Sequence, residues 1–385
     1  MKRIFLTVTC FLYLALGNAR QTAATTQFDT IPAAAASSVT SMANWLQQHH
    51  QGNQRQILQS LYGWMAENIR YDMVNTYLPD YYKDTADAVN KTLKTHVAVC
   101  QGYASLFMEV ARQAHIPAQL VTGYTFSQNK LDNSSHAWVA VFTDNQWRLV
   151  DPTWGSGAVI NGHYTKRLNW NYFLVAPEQF IKHHVPFDPL FQFLDNPYTH
   201  PEILNGKTEK RQFAYGDTLA WFNRLSTVDK ADNAAARIAR FGVTNQLIGA
   251  ELQNLRNIVS AGRQNMLVDE HNRQASRINS LSSRFNEVVG SYNEYVEFKN
   301  KQFSPSKPDN DIRAWVDEMY SRLSDIDKQL NEIVPSDNNI ATNIGELKAA
   351  ENGLRKKVAE EQAFVDRYIK TGKLCRKTLF YKFGR

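Results

Sequence analysis

Apolar positions along the chain fall into three regimes. Ile57, Leu61, Trp64, Met65 and Ile69 share one helical stripe, which predicts an amphipathic helix over residues 53–71. Tyr103, Phe107, Val110 and Ala114 form a second stripe closed by Pro117, so a helix is expected over 99–114. The period then shortens. Runs rich in Val and aromatic residues predict strands over 118–125, 137–143 and 146–150, the last two joined by a tight Asp144-Asn145 turn. Residues 151–164 read as a Gly-rich loop, and 77–84 as a Tyr/Asp/Pro loop whose tyrosines, 77–82, are either substrate contacts or ordinary loop aromatics. Helices followed by an antiparallel sheet make an α+β layout.

The third regime fills the C-terminal half. Ile278, Leu281, Phe285, Val288, Tyr292 and Tyr295 alternate spacings of three and four. Ile312, Trp315, Met319, Ile326, Leu330 and Ile333 repeat the pattern after Pro305 and Pro308, and Ile340, Ile344, Leu347, Leu354, Val358 and Val365 repeat it after Pro335. Such seams predict helices folded back on one another as antiparallel hairpins, either coiled-coil-like or as an ordinary bundle. No catalytic constellation stands out here. The expected role is self-association or docking of a partner.

Composition divides the chain at the same place. Trp, Tyr and Phe are frequent between residues 43 and 199, and Gln, Asn, Ser, Glu, Lys and Arg dominate from about 215. For 385 residues two domains are the natural expectation. They are placed at 43–205 and 206–385, behind a small, polar, flexible leader over 20–42. At the start, Lys2 and Arg3 precede an apolar run over 4–16 and the small-residue exit Gly17-Asn18-Ala19. That is the layout of a secretory signal peptide over 1–19, which implies a secreted, periplasmic or cell-envelope protein. No later stretch is long and apolar enough to span a bilayer. Losing Lys2 and Arg3 lowers the formal charge from +6 to +4, too weak and too dispersed for a nucleic-acid footprint.

The cysteine count sharpens the chemistry. Of three cysteines, Cys10 lies in the expected signal peptide, leaving Cys100 and Cys375 in what read as different domains. A disulfide-stapled scaffold is excluded, zinc-type C-x-x-C spacing is absent, and no metal or cofactor is expected. Cys100 is then either a small buried hydrophobe or a nucleophile. It stands at the start of the second predicted helix, where unpaired N–H groups favour a thiolate. If Thr143 faces Gln146 across the turn, counting outward sets Asp151 opposite Trp138. His136, two residues along from Trp138, then shares a face with Asp151 as its diagonal neighbour. An acid beside an imidazole orients it and stabilises its charged form. Cys100, His136 and Asp151 together supply nucleophile, base and orienter.

The blocks "AVCQGYASLFMEVARQAHIPAQLVTGYT", "SHAWVAV" and "WRLVDPTWGSG" resemble, in order and spacing, the signature of the transglutaminase-like superfamily, a papain-related group. The block "NYFLVAPEQFIKHHVPFDPLFQFL" resembles its kyphoscoliosis-peptidase and cytokinesis-protein-3 branch, so the resemblance covers roughly residues 54–200. It implies a papain/transglutaminase-like core carrying the triad Cys100, His136 and Asp151. The family's small Gly two positions before the cysteine is Ala98 here. Gln101 and Tyr103 at the active-site helix start, Trp138 and Trp154 as cleft walls, and His184 from the branch block are the implied cleft residues. The backbone N–H of Cys100 is the expected oxyanion donor; His96 and Lys94 are weaker side-chain candidates. The implied activity is cysteine acyl transfer on a protein or peptide substrate of the cell envelope. Hydrolysis is favoured over amine transfer, because no calcium-loop pattern such as D-x-D-x-D-G is present. A non-catalytic binding module is the competing reading.

Overall fold

The computed structural model describes residues 28–381 other than 77, 79, 80, 207 and 208. The expected signal peptide lies outside the described residues, as do Tyr77, Pro79 and Asp80 of the Tyr/Asp/Pro loop. Among the described residues no helix is long and apolar enough to cross a membrane. The chain divides into two compact units. The first runs to Ser226 and takes in Asp232–Leu255; the second comprises Thr227–Ala231 and the chain from Arg256 onward.

In the first unit α1 (Val39–His49) precedes α2 (Gln54–Asn68), which Asn53 caps by accepting the Gln56 N–H. After α2 the chain straightens into β1 (Arg70–Tyr71), so the predicted helix ends three residues early. Next come α3 (Thr85–Thr95), capped by Asp84, then β2 (Val97–Ala98) parallel to β1, and α4 (Cys100–Gln113). The sheet follows: β3 (Ala118–Ser127), β4 (Lys130–Leu131), β5 (His136–Thr143) and β6 (Gln146–Val150). The β5–β6 ladder pairs Thr143 with Gln146 and Val139 with Val150, the register counted from the turn. Asp144 and Asn145 have φ of 51° and 58°, the left-handed pair of a type I′ hairpin.

The segment 151–164 is not loop. It forms α5 (Pro152–Ser156) and the hairpin of β7 (Gly157–Ile160) with β8 (His163–Lys166). Its glycines suggested irregular chain, but Asp151 followed by Pro152 is a helix start, with the cap accepting N–H groups and Pro at the first helical position. Beyond α6 (Pro177–Phe180), β9 (His184–Pro186) joins the free edge of β3, and α7 (His200–Asn205) and α8 (Tyr215–Phe222) follow. The strand order is β4-β3-β5-β6, with β9 alongside β3.

One core lies where α1, α2 and α4 cover the sheet through Leu46, Leu61, Phe107, Val139 and Val141. A second joins Trp138 and Ala140 to Phe180, Leu190, Leu219 and Phe222. β5 is therefore buried along almost its whole length. Two expectations change here. Part of the leader is packed: Ile31 is 3% exposed, and Ala35, Ala36 and Val39 rest on the first core. Residues beyond 206 also belong to this unit, since Ile238, Ile248 and Leu252 bury against Tyr124 and Val185. The composition change records how polar the exposed faces are, and not where contacts divide.

From Arg256 the second unit is helical: the remainder of α10 (Gln246–Asn300, after α9, Thr227–Phe241), α11 (Asp309–Asn331) and α12 (Asn338–Lys370). Ile278 and Leu281 meet Ile326, Leu330, Ile340 and Ile344 at one end; Val288 and Tyr295 meet Ile312, Val316, Val358 and Val365 at the other. The pairing makes three antiparallel helices, with the predicted seams facing inward.

Candidate active site

Cys100 is the first residue of α4. Its N-cap, Val99, offers no side-chain acceptor, so no side chain occupies the helix start. Gly102 and Tyr103 donate their N–H groups to the Val99 carbonyl, so the N–H groups of Cys100 and Gln101 are the ones left for an anion beside the thiol. Gly102 lets α4 seat this deeply: a Cβ there would come within 2.5 Å of both Thr92 Oγ1 and Tyr82 Oη. The thiol is half-buried beside His136 at the head of β5, near enough to raise the proton affinity of that ring.

His136 Nε2 donates to Asp151 Oδ2 at 2.8 Å, which leaves Nδ1 as the ring nitrogen for the thiol. Asp151 is fully buried at the end of β6, and its Oδ1 accepts the N–H groups of Thr153 and Trp154 at 2.8 and 3.1 Å. A single carboxylate thus caps α5 and orients the imidazole. Burial alone would drive His136 toward its neutral form. The Asp151 charge and hydrogen bond, reinforced by Cys100, outweigh it and hold His136 well above its ordinary value. Burial likewise opposes the Asp151 charge, but His136 and His184 hold its carboxyl well below the usual carboxylate range.

His184 carries a role that the sequence did not show. Its Nε2 donates to the same Asp151 Oδ2 at 3.0 Å, and its ring is 1% exposed, stacked on Phe180 at 4.1 Å and set edge-on to Trp154 at 4.6 Å. Burial lowers its proton affinity, outweighing Asp151, so His184 is a neutral donor and His136 the single cation on the carboxylate. His184 Nδ1 is buried without a hydrogen-bond partner. His184 does not line the cleft; it lies behind Trp154 and Tyr172, which do.

The cleft in front of His136 holds about 700 Å³; Trp154, Tyr71, Tyr164 and Tyr172 supply its aromatic walls, and Asp132 and Arg167 its charge. Trp154 therefore stands where expected. Trp138 and Tyr103 do not: at 1% and 0% exposed they are core residues, Trp138 packing behind the dyad against Phe180. Gln101 is half-buried and does not line the cleft. Neither do Lys94 and His96; His96 instead lies edge-on to Trp64, with Nδ1 3.2 Å from the Asn68 carbonyl. The cleft tyrosines Tyr71, Tyr164 and Tyr172 had no signal in the sequence, since they come from β1, β8 and the turn before α6.

Residues 41–152 match the sequence model of the transglutaminase-like superfamily, and they form a transglutaminase-like domain. Over 180 residues the chain is 31% identical to human kyphoscoliosis peptidase, and to the mouse kyphoscoliosis peptidase to the same extent; each comparison takes in 45% of this chain and 26% of the relative. The chain spans about a quarter of the length of these curated relatives. Among solved structures, the periplasmic domain of TgpA from Pseudomonas aeruginosa is 26% identical, over 32% of this chain and 45% of that one, with a TM-score of 0.26.

Proposed function

We propose that this protein is an exported cysteine acyl-transfer enzyme that hydrolyses peptide or side-chain amides through a thioester on Cys100. The observation that carries this reading is the buried relay: a thiol at an uncapped helix start beside an imidazole whose other face is held by Asp151 at 2.8 Å. Its strong bias toward the imidazolium supports His136 as the group that takes up the thiol proton and later gives it to the leaving amine.

In the first half-reaction Cys100 Sγ adds to the amide carbonyl carbon, and the π pair moves onto oxygen. That oxyanion points to the first-turn N–H groups of α4, the Cys100 N–H first among them. Collapse breaks the C–N bond, and the leaving amine takes the proton from His136 Nδ1. In the second half a water adds to the thioester while His136 accepts its proton. Collapse expels the thiolate beside the protonated His136 and releases the carboxylic acid, which readies the pair for the next substrate. Asp151 keeps the imidazole in the tautomer both steps require. The aromatic walls and the Asp132–Arg167 pair of charges suit an extended peptide chain rather than a small apolar molecule.

The test is turnover of a library of peptide amides by wild type and by Cys100→Ala. Release of acid and amine by the wild type, abolished in the variant, is expected. Amine exchange without acid release would assign amine transfer, and undiminished activity in the variant would remove Cys100 from the mechanism.

A further inference from the structure

Asp29, His49 and His50 gather where the segment ahead of α1 passes the C-terminus of that helix. Asp29 Oδ2 lies 3.2 Å from His49 Nε2 and 3.7 Å from His50 Nδ1, and the three atoms all fall within 4.8 Å of one another. The longer distance exceeds a hydrogen bond. It suits two ligands of one ion, since a tetrahedral centre with bonds of about 2.0–2.1 Å separates its ligand atoms by about 3.3 Å.

The surroundings hold each ligand in place. Trp45 stacks on the His49 ring at 4.4 Å with the planes 13° apart. His50 is buried, with Nε2 2.9 Å from Ser60 Oγ, and Ser60 Oγ also accepts the Asp29 N–H at 3.3 Å. With Nε2–H donated to Ser60, the His50 Nδ1 lone pair faces Asp29, the arrangement that orients a metal-ligating histidine. Both histidines sit at the negative end of the α1 dipole, which favours a cation. The His49 and Asp29 side chains are 43% and 58% exposed, so the fourth position opens to solvent.

We propose that Asp29 Oδ2, His49 Nε2 and His50 Nδ1 bind one divalent transition-metal ion, zinc by the character of two imidazoles and a carboxylate, with water completing the shell. The ion ties the segment ahead of α1 to the end of α1 and, through Ser60, to α2. It takes no part in the Cys100 chemistry. An adjacent pair of histidines and one distant aspartate carry no recognisable metal spacing, which is why only the folded chain brings the site together.

The test is calorimetric titration of Zn²⁺ into the full chain carrying Cys100→Ser and Cys375→Ser, so that no thiol competes. One zinc per chain is expected. His49→Gln, at an exposed position that leaves the fold intact, should weaken binding at least tenfold. Ser60→Ala, which removes only the support of His50, should weaken it about 10- to 100-fold. Co²⁺ in place of zinc should give visible absorption of tetrahedral intensity that disappears in His49→Gln. Absence of zinc binding, or binding and Co²⁺ absorption undiminished by His49→Gln, would overturn the site.

Discussion

The Asp151 carboxylate receives four hydrogen bonds, two from backbone N–H groups and two from imidazoles, and its charge raises the proton affinity of His136 while burial keeps that of His184 low. The proton on His136 is needed by the leaving amine and is held while the pH stays below the raised value of that ring. Activity is therefore lost as pH rises through that value, well above the ordinary imidazole range. Asp151→Asn removes the raising charge and leaves burial, which lowers it. The pH–rate profile should lose its alkaline side at lower pH, with kcat/KM down on the order of 10³–10⁴-fold. His184→Gln keeps a donor toward Asp151, whereas His184→Ala removes it. The alanine variant should lower kcat about tenfold with KM unchanged and move the alkaline limb, and the glutamine variant should restore much of both. An alkaline limb unmoved in His184→Ala would make that residue simple packing. The pairing of His136 with Asp151 was legible because a two-residue turn fixes register, and register fixes which side chains meet. The place of His184 was not, since its partner is 33 residues away and reached only when β9 joins β3. An aromatic two or three residues from a catalytic side chain reads alike in cleft or core, which is how Trp138, near His136, and Tyr103, near Cys100, entered the expected cleft.

Elements place these residues to within an ångström or two. α4 brings Cys100 under the head of β5 only because Gly102 admits α3 and Tyr82 so closely. Gly102→Ala should cost about 1–3 kcal/mol by overpacking, measured by denaturant unfolding, and the displaced helix start should slow turnover as well. Stability equal to wild type would show that α4 has room to shift. Gly123 is a similar contact on β3, where a Cβ would run into the Val185 carbonyl. Long elements with a clear period, such as 54–68 and 100–113, were legible within a few residues. α3 and α5 were not recognised, although Asp84 and the Asp151-Pro152 pair mark their starts, because each is short and its buried side is set by tertiary neighbours.

At the scale of the whole chain, each compact unit has its own core. Leu323, 0% exposed in the helical unit, packs with Val288, Val316 and Val358. Leu323→Ala should destabilise that unit by about 2–5 kcal/mol while leaving amide hydrolysis at wild-type rate; calorimetry of the variant should move one unfolding transition and not the other. A joint shift of both transitions would mean that the units unfold together. The three seams of this unit were legible because heptad-like spacing survives over long helices. The boundary was not, because residues beyond 206 are polar outside yet bury Ile238, Ile248 and Leu252 in the first unit. The claim on which the functional reading rests is that His136 activates Cys100, and the rate of Cys100 alkylation by iodoacetamide across pH tests it most directly. Rapid alkylation at neutral pH is expected in the wild type, reduced to the rate of an ordinary thiol in His136→Gln. Equal rates in the two proteins, across the whole range, would contradict it.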